Sequence, residues 1–499
     1  MNKSNKKENS DRMSRRSFVA TTAAAAAGLT ILPGGIISAK GRVAPSDKLN
    51  IAGIGIGGMG HRNIKEVDSQ NIVAMCDVDW AYSAQAFAEY PGAKRYWDYR
   101  KMFDEMADEI DAVIIATPDH THAITALTAI TLGKHVYVQK PLTHTVYESR
   151  ILRLKAAEYK VATQMGNQGN SGEGLRQICE WLWDGAIGTV ERVHAWTNRP
   201  IWPQGLERPA KGMWVPDTLN WDLFIGPAPE RPYHEVYTPW NWRGWWDFGT
   251  GALGDMACHI LDPVFMGLRL GHPVRVQASS TQFNTESPPQ AEVVHYKFPA
   301  RDKYMKLKMP AVHVTWYDGG MMPIRPSELK AGEVMGDNDG GVVFEGSKGK
   351  IICGTYGREP RLWINGVEET TSYNAPKVLR RVKTSHEMDW IRACKETPGN
   401  RVETSSSFNY AGPLNEMVVM GNLAVRLQDL KRELEWDGEA MEITNLSDQD
   451  QVRIVKSDRF TVESGHPRFD TKHETIPAKP FAEEMIRHTY REGWRLEGL

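Results

Sequence analysis

Ile51-Ala52-Gly53-Ile54-Gly55-Ile56-Gly57-Gly58-Met59-Gly60-His61-Arg62-Asn63 is the stretch that decides the fold. A short apolar strand (49–53) runs into three glycines spaced G-x-G-x-x-G, and a helical segment opens directly behind them. The spacing has a mechanical meaning. Gly55 permits the tight turn, Gly57 lets a pyrophosphate approach the backbone, and Gly60 allows close packing of helix on strand. Gly58 and Met59 complete the turn, and the free N–H groups of the helix start offer partial positive charge to phosphates. The next strand ends at Asp77, where a carboxylate accepts from both ribose hydroxyls and repels a 2′-phosphate. NAD is therefore expected rather than NADP.

Working outward, apolar runs at 49–53, 72–76, 112–116, 135–138 and 161–164 alternate with helical stretches such as 124–132 and 147–159. That alternation predicts a doubly wound parallel sheet. After Gly172 the style changes. A helix (173–183) leads to a strand (190–196) and then to a Pro- and Trp-rich stretch reaching Trp246. Strand-like runs follow at 274–279, 293–298, 313–317, 342–345, 350–353 and 362–364, with helices at 386–395 and 410–427. The fold class read from this pattern is α/β, an N-terminal Rossmann domain (47–170) followed by an α+β domain (171–445). The second domain carries a large open antiparallel sheet for substrate binding and oligomerisation, and its 386–427 helices pack back on the first. Residues 446–499 are expected to be a charged, irregular extension over the body or a neighbouring subunit.

The bulk composition narrows the function. A chain of 499 residues exceeds one ordinary core. With 60 basic against 62 acidic side chains, nothing in the charge balance favours nucleic acid or an anionic membrane. Five dispersed cysteines (Cys76, Cys179, Cys258, Cys353, Cys394) read as buried thiols, neither a disulfide framework nor a zinc site. Ser14-Arg15-Arg16-Ser17-Phe18 is a twin-arginine pattern, and the apolar run behind it (19–37) is too weak for a membrane span. Residues 1–40 are thus expected to be a Tat-type signal cleaved near Ser38-Ala39. The mature protein would be exported, periplasmic and free of the membrane, having folded around its cofactor beforehand.

Two further segments carry a family resemblance. Ala116-Thr117-Pro118-Asp119-His120-Thr121-His122 follows the strand at 112–116, and Val138-Gln139-Lys140-Pro141-Leu142 ends the strand at 135–138. With the glycine turn, they resemble the Gfo/Idh/MocA oxidoreductases, of the Tat-exported, glucose-fructose oxidoreductase-like kind, from about Asp47 to Leu427. The resemblance implies that Lys140 is catalytic. It also implies that Thr117, Pro118, His120, His122, Lys140, Pro141 and Gln168 join the glycines around a tightly held NAD. Here Gln139 replaces the Glu usual in that family, removing a charge beside Lys140. The family's remaining signature is matched by Gly251-Ala-Leu-Gly-Asp255-Met-Ala-Cys-His259, whose i, i+4 spacing sets Asp255 and His259 on one helix face. By similarity His259 takes the hydroxyl proton, Lys140 hydrogen-bonds the same oxygen, and Asp255 binds a neighbouring hydroxyl or orients the site.

His120-x-His122 also has the look of half a metal site, but no Cys or Glu stands at ligand spacing, and no metal is expected. The alternative is a helix start capped by Asp119 or Thr121. Ten of the 17 tryptophans lie between 181 and 246. At least half are expected in the core, and the rest suit the C–H faces of a pyranose. Trp242, Arg243, Tyr237 and Asn170 are candidate substrate contacts beside Lys140, Asp255 and His259, with Arg199, Gln204, Asn241 and Asp247 as further polar partners. The expected activity is NAD-dependent oxidation of a secondary hydroxyl of a pyranose or glycoside, for example at C3, in a homo-oligomer (dimer or tetramer). Two alternatives stay open. One is a redox-assisted glycosidase that oxidises, eliminates and reduces, with Tyr233, His234 or Tyr237 as its extra base. The other is a non-catalytic sugar- and NAD-binding protein.

Overall fold

The computed structural model describes residues 47–496, so the twin-arginine segment lies outside the described residues. Six strands form one parallel sheet: β1 Asn50–Ile54, β2 Asn71–Cys76, β3 Lys94–Tyr96, β4 Ala112–Ile115, β5 His135–Val138 and β6 Thr163–Met165. Their order is β3-β2-β1-β4-β5-β6. The direction of winding reverses between β1 and β4, and ligands of doubly wound sheets bind beyond the strand ends at such a point. The central strands are apolar throughout because helices cover both faces. In β4, Val113 and Ile115 enter one core cluster while Ala112 and Ile114 enter another on the opposite side. β3, which the sequence pattern did not reveal, is a three-residue edge strand with Lys94 and Arg95 exposed.

The second sheet has ten strands. They are β7 Val190–Thr197, β8 Arg275–Ser280, β9 Glu292–Phe298, β12 Val312–Tyr317, β13 Gly340–Gly346, β14 Gly349–Gly354, β15 Arg361–Ile364, β16 Val367–Glu368, β17 Leu434–Asp437 and β18 Glu442–Ile443. A small hairpin of β10 Arg301–Tyr304 and β11 Leu307–Met309 stands apart from it. The order is β16-β15-β14-β13-β7-β12-β9-β8-β17-β18. One pairing corrects the expected antiparallel sheet: β7 and β12 run parallel, so the sheet is mixed. More than a hundred residues separate these two strands, room enough for the long crossover that parallel neighbours require. The inner face, including Val193, Val294, Tyr296, Val314, Trp316 and Phe344, joins the same core as Leu253, Met417 and Val418 of two covering helices.

Two helices bind this domain to the first. His386–Cys394 buries Trp390 and Ile391 in the cluster that holds Ile51 and Ile114. In Phe408–Arg426, Glu416 accepts from Arg150 Nε at 2.9 Å and Nη2 at 2.8 Å, while Asn415 Nδ2 donates to Thr143 and Ser149. The C-terminal extension is regular, contrary to the sequence expectation. β19 Gln451–Glu463 and β20 His466–Pro477 form a long hairpin, and a helix (Ala478–Ile486) follows. Its charges hid an alternating pattern: Val452 and Ile454 are buried at the base, whereas Phe460, Val462 and Phe469 are exposed near the tip. The last residues return to the first domain, where Tyr490 donates to Glu148 and Trp494 lies under the Arg100 guanidinium. All five cysteines are buried and unpaired. No helix among the described residues is long and apolar enough to cross a membrane.

Candidate active site

The β1 turn is glycine-rich because backbone crowds it. Gly55 has φ +73°, and a side chain there would lie 2.7 Å from Thr117 N. At Gly60 a Cβ would meet Gly55 O at 1.9 Å, so this glycine serves packing and does not line the cleft. At Gly57 and Gly58 the nearest obstacle is the Tyr82 side chain, and the turn's backbone opens on the cleft. The helix Gly58–Glu66 starts there with no side-chain cap, so its first N–H groups remain free for an anion. Asp77 Oδ2 accepts from Ile56 N (2.8 Å) and Gly57 N (3.1 Å), and Oδ1 accepts from Asp79 N (2.8 Å). Burial pushes its carboxyl up to about 6 against the pull of these bonds.

This turn forms one end of a cleft of about 760 Å³, lined from both domains. Gly55, Gly57, Gly58, Met59, Asp77, Thr117, Pro118 and Gln168 line it as the sequence suggested, together with Lys140, Trp242, Arg243, Asp255 and His259. At the other end Asp255 Oδ1 receives Lys140 Nζ at 2.8 Å and Arg243 Nε at 3.0 Å, and Lys140 Nζ also donates to the Asp255 carbonyl at 2.7 Å. Burial alone would push the Asp255 carboxyl up, but the two cations hold it well below the usual carboxylate range. One helical turn on, His259 is buried, and its Nδ1 has no hydrogen-bond partner among the described residues. Burial, reinforced by Lys140, pushes its pKa well below the usual histidine value. His259 is therefore a neutral imidazole with an uncommitted nitrogen, able to accept a proton. Lys140 stands ready as a cationic donor, and Asp255 as an anchored carboxylate.

Other residues fall elsewhere. His120 is buried, with Nε2 on the Phe224 and Ile225 carbonyls, and His122 bridges the carbonyls of Pro141 and Thr117. Neither lines the cleft, nor does Pro141. Burial pushes both histidines down, to about 3 and about 4; a neutral ring donates from one nitrogen only, so His122 donates to one of its two carbonyls and abuts the other. Asp119 caps no helix, because its carboxylate is taken by Thr250 N and Oγ1; Thr121 does not cap it either, donating instead to Thr117 and Pro118. Asn170 donates to buried Asp262, away from the cleft. Tyr237 packs with Trp221, Trp245 and Phe248 in a separate aromatic core, and Tyr233 belongs to the same cluster. His234 also lies off the cleft. Eight of the ten clustered tryptophans are buried, all but Trp214 and Trp240.

Several cleft residues escaped the sequence reading. Tyr356 has left-handed backbone (φ 64°, ψ 16°), a conformation that costs a non-glycine residue of order 1–3 kcal/mol. Its ring stands edge-on to His259 with 4.5 Å between centroids. Tyr82 lies over the glycine turn, and Trp494 arrives from the far C-terminus. No local pattern marks these residues: the loop after β2 brings Tyr82, the turn after β14 brings Tyr356, and the returning tail brings Trp494. Gln139 lines the cleft beside Lys140, and its amide is tied into a buried chain. Its Nε2 donates to Asn63 Oδ1 (2.8 Å), Asn63 Nδ2 donates to Glu387 Oε1 (2.8 Å), and Tyr137 OH donates to the same carboxylate (3.1 Å).

A glycine-cradled phosphate turn, a ribose-side acid and a Lys/Asp/His set facing them across one cleft define the class: a nicotinamide-dependent dehydrogenase scaffold. The comparisons agree. Residues 49–167 match the "Oxidoreductase family, NAD-binding Rossmann fold" and residues 187–302 its "C-terminal alpha/beta domain". These two regions belong to the Gfo/Idh/MocA oxidoreductase family, and the first is its NAD-binding domain. Inositol 2-dehydrogenase of Salmonella paratyphi B is 29% identical over 151 residues, 30% of this chain and 44% of that protein. The chain thus spans about half the length of the curated relatives it matches. An inositol dehydrogenase homolog from Azotobacter vinelandii, complexed with NADH and myo-inositol, shares the fold (TM-score 0.53, 17% identity, 78% of this chain and 98% of that one). So does the WlbA dehydrogenase of Bordetella pertussis with NADH and UDP-GlcNAcA (TM-score 0.53, 15% identity, 78% and 99%).

Proposed function

We propose that the chain is an NAD-dependent oxidoreductase acting on a secondary hydroxyl of a pyranose sugar or glycoside. The observation that carries this is the Lys140–Asp255–Arg243 cluster beside a neutral, unpartnered His259, in the cleft that opens on the glycine turn. The turn fits the cofactor, since only a side chain, not backbone, stands before Gly57 and Gly58. NAD, when bound, supplies the nicotinamide carbon that accepts hydride. Lys140 Nζ donates to the substrate oxygen and stabilises developing alkoxide character. His259 accepts the hydroxyl proton, and Asp255 fixes Lys140 while offering a carboxylate to a neighbouring hydroxyl.

Export through the twin-arginine segment, retention of NAD through many turnovers, and a homo-oligomer complete the proposal. The uncovered Phe460–Phe469 face of the hairpin supports the last point. The elimination route needs a further base, and none of Tyr233, His234 and Tyr237 lines the cleft, so simple hydride transfer is the better-supported course. The test is single-turnover reduction of NAD by glucosides, followed at about 340 nm. The wild-type protein is expected to form NADH, and His259→Ala to do so slower by roughly two to four orders of magnitude. An unchanged rate in His259→Ala would place the base elsewhere.

A further inference from the structure

Beyond Lys140 and His259 the cleft continues along a ledge that the proposed hydride transfer leaves unused. Two chain segments build it: Arg199-Pro200-Ile201-Trp202 after β7, and Thr238-Pro239-Trp240-Asn241-Trp242-Arg243 before the Gly251–Ile260 helix. Their backbones touch, since a Cβ on Gly244 would lie 2.2 Å from Pro203 O. The base of the ledge is fixed. Trp202 Nε1 donates to buried Gln204, and the Arg243 guanidinium lies 4.1 Å from the Trp240 ring and 4.2 Å from the Trp242 ring. The same Arg243 grips Asp255 at 3.0 Å, so a single residue separates Trp240 from the carboxylate of the reacting centre.

The upper surface is of a different kind. Trp240 is 45% exposed and Ile201 64% exposed, although both line the cleft and their neighbours Trp202 and Trp242 are buried. Arg243 covers Trp240 from one side, and part of the indole surface remains uncovered. Apolar surface left bare beside a charged centre gains from being covered by an apolar group. Hydroxyl groups gain little there, whereas an aryl ring or the C–H face of a pyranose gains more.

We propose that Ile201 and Trp240 form an aglycone subsite, so that the substrate is a glycoside bearing a ring-shaped aglycone, an aryl group or a second pyranose, rather than a free monosaccharide. This rests on the oxidoreductase reading above. The pyranose presents a hydroxyl to Lys140 and His259, its neighbouring hydroxyl meets Asp255, and the anomeric substituent extends over Trp240. The ledge is built on Arg243 and Asp255, whereas the glycine turn is tied to Asp77, so the dinucleotide phosphates and the aglycone are assigned to different elements of the cleft.

The test compares kcat/KM for methyl and 4-nitrophenyl glucosides, both anomers of each, and for cellobiose, in the intact chain. Wild type is expected to favour the ring aglycones over methyl by tenfold or more. Trp240→Ala should lower that ratio about tenfold, and Ile201→Ala, outside the Arg243–Asp255 contacts, should lower it in the same direction. Loss on all substrates in equal proportion, or no wild-type preference, overturns the subsite. Calorimetric titration with 4-nitrophenyl glucoside separates this from failure of the oxidoreductase reading. Binding that Trp240→Ala weakens supports the ledge even where no NADH forms, and binding that neither variant alters overturns it.

Discussion

The two ends of the cleft are built on different plans. At the cofactor end the site is mostly backbone: Ile56 N and Gly57 N are tied to the Asp77 carboxylate and the uncapped helix start at Gly58 follows, all within residues 51–77. At the substrate end, side chains do the work, and they come from Lys140, Arg199, Arg243, Asp255, His259 and Tyr356. The first end is set by glycine spacing and short-range geometry. The second exists only when a strand end, a loop, a helix and a turn after β14 converge. Backbone recognition of a pyrophosphate tolerates change in surrounding side chains, whereas a proton-transfer site fails with one atom missing.

The sharpest break of that contrast is at Lys140. Lys140→Ala is expected to lower turnover by roughly two to four orders of magnitude, because it removes the proposed donor to the reacting oxygen and leaves Asp255 with Arg243 as its remaining cation. NAD affinity should change far less, as the glycine turn is untouched. Pre-steady-state NADH formation alongside a fluorescence titration of NADH measures both quantities. A variant that lost NADH binding and turnover equally would mean that the two ends are not separable.

A smaller effect is expected at Asp77. Asp77→Ala should weaken NAD by about 1–3 kcal/mol, the scale of lost hydrogen bonds to a charged group. It also unties Ile56 and Gly57 from β2. The pH dependence has a definite sign. Because burial holds this carboxyl at about 6 in the fold, it protonates as pH falls through that value and gives up an acceptor for ribose hydroxyls. NAD affinity should therefore fall between pH 7 and 5 in wild type and be flatter in Asp77→Ala. For stability the sign is opposite: a raised carboxyl makes ionisation costly to the fold, so that cost is absent below about pH 4 and grows toward 6. Equal pH profiles of NAD affinity in the two proteins would remove Asp77 from the ribose.

The same contrast explains what the sequence could and could not reveal. Gly55 and Asp77 were legible because spacing along one βαβ unit fixes where they sit. Asp255 and His259 were legible because i, i+4 on a helix puts them on one face. Tyr356 and Trp494 were not, since their place depends on sheet register and on the path of a distant tail, and Tyr82 was not because the loop after β2 carries no pattern that aims it at the glycine turn. His120 and His122 misled for a related reason: polar residues beside a known loop look like ligand contacts, but buried carbonyls claim their ring nitrogens. The hairpin at 451–477 was obscured by its charged positions, which alternate with Phe460 and Val462 along exposed strands.

The smallest effect is expected at the seam between the two ends, where Gln139 stands in place of the family's usual Glu. Gln139 Oε1 accepts from Lys140 N at 3.3 Å, while its Nε2 begins the chain through Asn63 to Glu387. Asn63 is buried and has one amide group to share. It gives its N–H to Glu387 and its oxygen to Gln139, so one carboxylate and one carboxamide are what it can serve. Gln139→Glu removes the donor and sets a second carboxylate on the far side of Asn63. Turning the amide would satisfy the new carboxylate only by aiming the Asn63 oxygen at Glu387. Gln139→Glu is therefore expected to cost about 1–3 kcal/mol of stability, the penalty of a buried group left unpaired. Adding Glu387→Gln should recover most of it, since Asn63 can then turn and serve a carboxylate at 139 and a carboxamide at 387. Urea unfolding of wild type, both single variants and the double variant closes the cycle. Recovery in the double variant would show that the second domain supplies, through Glu387, the buried carboxylate absent at 139. Strictly additive losses would mean that Gln139 and Glu387 are not coupled through Asn63.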